Sequence, residues 1–101
     1  MVNDVRAADL VRRDEFAVGD HVFAKVKGFP FWPAKVSSVS AISKKLTYDV
    51  HFYGTNETAA VSLDNLCPYI ENRKHLGFPK LLRVFNKAVF EIENELMEMH
   101  S

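Results

Sequence analysis

Phe23-Ala24-Lys25-Val26-Lys27-Gly28-Phe29-Pro30-Phe31-Trp32-Pro33-Ala34-Lys35-Val36 joins a β-prone run to a second one through a turn and a block of three aromatics and two prolines in five residues. Proline fixes its own φ and pushes the residue before it toward extended geometry, so Pro30 and Pro33 hold Phe29 and Trp32 in nearly fixed orientations. Val22, Phe23, Ala24 and Val26 read as a first strand ended by Lys27-Gly28, and Ala34 to Val39 as a second. After the polar stretch from Ser40 to Lys45, the segment Leu46 to Tyr53 alternates well and stops at Gly54-Thr55-Asn56; a shorter run, Thr58 to Ser62, follows. Short strands separated by turn signals predict a small all-β barrel ending near residue 66.

Beyond the barrel, Pro68 and Pro79 bracket a charged segment, Ile70 to Leu76, compatible with a short helix stopped by Gly77. Leu82, Phe85, Val89, Ile92, Leu96 and Met99 then recur at spacings of three and four and place one apolar stripe on a last helix. Two readings of the stripe stand: its first half packs on the barrel while its end frays, or it meets a partner helix over about two and a half heptads. Residues 1–15 mix arginines with acids without a sustained apolar period. They read as a flexible N-terminal arm or a loosely docked short helix, with the domain proper over 16–101, barrel to about 66 and helices over about 69–99.

Length and composition fit one soluble globular domain: 101 residues, 48% hydrophobic and 26% charged. No stretch approaches the roughly 18 apolar residues that cross a bilayer, and the first residues have no apolar core resembling a signal peptide. The single cysteine, Cys67, rules out an internal disulfide, and a reducing compartment is expected. Net charge is zero, but from His21 to Tyr48 there are five lysines and no acid, whereas Ala88 to Ser101 holds four glutamates and no Lys or Arg. His21, His51, His75 and His100 are scattered, no glycine-rich phosphate loop is present, and Cys67 has no ligand-spaced partner. No catalytic residue, metal or cofactor is therefore assigned.

Aromatic faces suit a methylated ammonium, which is still a cation but has exchanged its hydrogen-bond donors for apolar surface. The same rings would equally serve as core, since buried aromatics are common. The block resembles the PWWP domain family, whose Pro-Trp-Trp-Pro tetrad here reads Pro30-Phe31-Trp32-Pro33. The resemblance runs from Phe16 to about Leu96 and includes Val18-Gly19-Asp20-His21-Val22-Phe23-Ala24-Lys25, Phe52-Tyr53-Gly54-Thr55-Asn56-Glu57-Thr58-Ala59 and Pro68-Tyr69. The Phe52 to Thr55 run is similar to that of the subgroup containing lens-epithelium-derived growth factor and hepatoma-derived growth factor.

The resemblance implies a mainly β fold with α: a five-stranded Tudor-like (SH3-like) barrel followed by a C-terminal helical segment. It also implies a nuclear, chromatin-associated reader of histone H3 di- or trimethylated at lysine 36, aided by non-specific nucleosomal DNA contact and carried as a monomeric domain of a larger protein. On that implication the methyl-lysine cage is Phe29, Trp32 and Phe52, with Val26 as an apolar side wall where relatives have methionine, while Phe31 concerns packing. Glu57 would either hydrogen-bond the peptide or stabilise its own turn, and Asp49, of opposite parity to Phe52, is expected on the exposed face. Lys25 and Lys27 would share a strand face opposite Val26 and touch DNA, joined by Lys80 and Arg83 at the start of the last helix. Leu81, Leu82 and Asp64 stand at positions that are basic in close relatives, so weak and strongly salt-dependent binding is expected. A methylation-independent groove for peptide, or a DNA-binding barrel without a working cage, are the other readings.

Overall fold

The computed structural model describes residues 10–77 and 82–100. Strand β1 (His21–Ala24) is followed by β2 (Trp32–Ile42), β3 (Lys45–Phe52) and β4 (Thr58–Ser62). A 3-10 turn at Leu63–Asn65 then leads into β5 (Leu66–Pro68), helix α1 (Tyr69–Leu76) and helix α2 (Arg83–Met99). All pairings are antiparallel, in the order β4-β3-β2-β1-β5, so the sheet curls toward a barrel without strict closure. The expected five-stranded barrel with a helical tail is the fold found.

Period-two patterning carries the centre of the sheet. Along β3, Tyr48, Val50 and Phe52 are buried while Asp49 is exposed, as parity requires. β2 runs longer than its sequence suggests, to Ile42, because the β2–β3 hairpin projects past the core and exposes both faces of Ser37 to Ile42. Its turn has positive φ at Ser43 (52°) and Lys44 (70°), the geometry that suits the right-handed twist of a two-residue hairpin. A register shift between Val36 and Ser38 marks the bulge where the strand leaves the core.

Two expectations change. β1 stops at Ala24, so Lys25, Val26 and Lys27 belong to a loop and do not alternate across a strand. Residues 10–15, expected in a flexible arm or loose helix, are non-helical, and 10–13 are docked: Leu10 is buried in the core. The fully buried Asn72 side chain accepts from Val11 N (2.8 Å) and donates to Val11 O (3.0 Å) and Pro68 O (2.8 Å). Arg12 donates to the carbonyls of Asp64 and Leu66, and Arg13 pairs with Glu71. Residues 1–9 lie outside the described residues.

Both helices cover the sheet, α1 against β1, with Tyr69 stacked on Phe23 (4.6 Å), and α2 against β2. The stripe on α2 buries Phe85, Ala88, Ile92 and Leu96, reaching well into its second half. The end therefore does not fray at Leu96; the stripe instead closes one turn inside each terminus, with Leu82 and Met99 exposed. Glu95 fastens this half: one carboxylate oxygen accepts from His21 Nε2 (2.6 Å) and Tyr53 Oη (2.9 Å) and pairs with Lys35 Nζ (3.0 Å). Two strands, the corner after β3 and α2 thus meet at one atom. Burial and the adjacent Glu95 carboxylate push the Tyr53 phenol well above its ordinary range.

Candidate functional site

The β1–β2 loop is folded back on itself. Phe29 N donates to Val26 O (3.0 Å), Gly28 takes a φ of 89° that side chains disfavour, and the Lys25 ammonium donates to the carbonyls of Val26 and Phe29. The loop presents the Phe29 ring at the surface, 58% exposed. Pro33 continues into β2, where the Ala24–Trp32 pairing sets Trp32 beside the end of β1. The Trp32 indole donates to Tyr53 O (2.9 Å) and meets the buried Phe85 ring edge-on (5.2 Å, 89°), so its orientation is fixed on both sides. Phe31 is partly buried against the core, in keeping with a packing role.

At the other wall, the corner after β3 is held by its own backbone. Phe52 N donates to Glu57 O (2.8 Å), Asn56 N to Phe52 O (3.1 Å) and Glu57 N to Thr55 Oγ1 (3.2 Å). Glu57 thus stabilises the turn through its main chain, which leaves the exposed carboxylate at the rim.

Between these walls lies a hollow of about 540 Å³. It brings together all four residues expected in the cage, Val26, Phe29, Trp32 and Phe52, together with Glu57. Ala24 and Ala59 add small apolar surface, and Thr55, Asn56 and Thr58 a polar edge. Pro30 and, from α2, Val84 complete the lining. Sequence reasoning missed Val84 because it lies beside the apolar stripe of its own helix. Three aromatic rings, aliphatic walls and one carboxylate favour a cation with an apolar surface over a strongly hydrated one.

The basic residues stand around this hollow more loosely than expected. Lys27 is exposed in the loop next to Val26, and Arg83 is exposed at the first turn of α2 next to Val84; each neighbours a lining residue in sequence without lining the hollow itself. Lys25 spends its ammonium on the loop carbonyls and is only half-exposed. Lys80 and Leu81 lie outside the described residues. Cys67 is buried, which pushes its thiol up to about 12, the state of an inert packing residue. Among the described residues no three His, Cys, Asp or Glu side chains are grouped to hold a metal ion.

Comparison with known proteins is consistent with this geometry. The sequence model of the PWWP domain matches residues 19–97. Protein HUA2-LIKE 3 of Arabidopsis thaliana is 47% identical over 73 residues, 67% of this chain and 5% of that protein. PWWP domain-containing protein 2A of Homo sapiens is 30% identical over 80 residues, 73% of this chain and 11% of that protein. The chain therefore spans about a tenth or less of the length of these relatives.

Proposed function

This chain belongs to the PWWP domain family, and on that premise we propose that it is a chromatin-reading module, not an enzyme, whose aromatic hollow receives a methylated lysine of the histone H3 tail, at the lysine-36 position. One observation carries the reading: Val26, Phe29 and Trp32 from the β1–β2 stretch and Phe52 from the end of β3 line one hollow. Each ring facing a desolvated cation contributes on the order of 0.5–2 kcal/mol, and the apolar walls repel a bare ammonium, which would leave its donors unpaired. Glu57 at the rim supplies a carboxylate for the ammonium or for a peptide N–H. An affinity to the growth-factor subgroup rests on the Phe52-Tyr53-Gly54-Thr55 run alone, the relatives named above being of other kinds.

DNA contact is the auxiliary term. Lys27 and Arg83, each next to a lining residue, would neutralise phosphate without reading sequence while the tail occupies the hollow. Such a module acts in the nucleus, on nucleosomes, as part of a longer protein.

The direct test uses three H3 tail peptides that differ only at position 36: trimethyllysine, lysine, and the neutral analogue in which carbon replaces the trimethylated nitrogen. The expected order places trimethyllysine first, because the neutral analogue matches its shape but not its charge. Equal affinity for the trimethylated and neutral forms would make the hollow a plain apolar groove, and equal affinity for all three would remove methylation from the account.

A further inference from the structure

We propose that α2 is the positioning element of the hollow, and that Glu91 on α2 sets the cage geometry without lining it, so that ligand occupancy and α2 docking are thermodynamically linked. The inference rests on the methyl-lysine reading for its ligand but not for its geometry. Three walls of the hollow depend on this one helix. Val84 is itself a wall. Phe85, fully buried, abuts the Trp32 indole. Glu91 reaches back to the corner that carries Phe52 and Glu57, where its Oε1 accepts from Gly54 N at 2.8 Å.

The corner and the helix are in close contact. A Cβ built on Gly54 would lie 2.8 Å from Val84 O and 3.0 Å from Ala88 Cβ, so the α2 backbone presses directly on the residue Glu91 grips. Packed surfaces of this kind shift as units and do not deform continuously. Withdrawal of α2 by a fraction of an ångström would move Val84, release the edge of Trp32 and free the Gly54 N–H at once. Conversely, a ligand that requires the assembled hollow binds only the docked state and stabilises α2 on the sheet. Glu91 is a positioning residue in this scheme: it touches neither the hollow nor its ligand.

Trp32 is the single tryptophan, so its emission reports the cage specifically. The experiment compares Glu91→Ala with Glu91→Gln, which keeps a carbonyl acceptor for Gly54 N, and with Lys87→Met, which removes only the 3.9 Å Lys87–Glu91 pair. Each is measured well below its melting temperature, first by acrylamide quenching of Trp32 and then by affinity for the trimethylated H3 peptide. Glu91→Ala should raise Trp32 quenching and weaken binding at least about fivefold, the lower end of couplings between linked sites. Glu91→Gln should restore most of both, and Lys87→Met should match the native protein.

Unchanged quenching in a folded Glu91→Ala protein overturns the proposal, as does unchanged affinity where the native protein binds. Failure of the native protein to bind the peptide, with quenching still raised by Ala and restored by Gln, removes the ligand reading and leaves the positioning role standing.

Discussion

Glu95→Gln is expected to destabilise the protein by about 1–2 kcal/mol near pH 5, and the deficit should vanish in stronger acid. Partial burial alone would raise the Glu95 pKa, but hydrogen bonds from His21, Lys35 and Tyr53 override it and hold the carboxyl at about 2, against an ordinary 4.5. At about 1.4 kcal/mol per tenfold change in proton affinity, that gap sets a ceiling of about 3.4 kcal/mol. Because the side chain is 31% exposed, solvent screening brings the expectation down to about 1–2 kcal/mol. The folded-state pKa lies below the unfolded one, so the stabilisation is fully present above about 4.5 and is lost as pH falls through the interval toward 2. Urea unfolding of both proteins between about pH 5 and 2.5, below the ordinary histidine range, isolates this carboxyl. A stability gap that stays constant across that interval, or no gap at its upper end, would refute the reasoning.

Gly54→Ala should cost about 1–3 kcal/mol more than Gly28→Ala, read from paired denaturant midpoints. Both glycines have φ near 85–90°, but only at Gly54 does the new methyl meet backbone of α2, whereas at Gly28 nothing lies within 4 Å. Asn72→Ala should lower stability by about 1–3 kcal/mol by leaving the part-buried N–H and C=O of Val11 without their side-chain partner, and should speed tryptic cleavage after Arg12 and Arg13. Lys27→Ala should reduce the slope of log affinity for duplex DNA against log salt by about 1 without altering preference between methylated and unmodified peptides, as filter binding over a salt series would show.

The alternating β3 run and the three-and-four spacing of Phe85, Val89, Ile92 and Leu96 carried their periods into the fold, because each element buries one face. β5 was not legible as a strand: three residues ending in Pro68 give no period, and pairing with β1 alone defines it. The length of β2 was equally hidden, since Ser37 to Ile42 leave the core and no burial imprints alternation there; nor does Ser43-Lys44 carry a glycine or asparagine turn signal. Residues 10–13 read as an arm because the partners that dock them are distant in sequence: Asn72, 61 positions from Val11, the carbonyls of Asp64 and Leu66, and Glu71. Within the site, the aromatic residues of the hollow were legible from their block and family pattern. The contributions of Val84, Phe85 and Glu91 arise only when α2 folds back on the sheet.

Binding to nucleosomes trimethylated or unmodified at lysine 36 of histone H3 tests whether the hollow reads methyllysine, with Phe29→Ala as the variant because its exposed ring can be removed without opening the core. Tighter binding to the trimethylated nucleosome is predicted, with the preference reduced about 2- to 30-fold by the substitution, the equivalent of one cation–π contact. Equal binding to both nucleosomes, unchanged by Phe29→Ala, would contradict it.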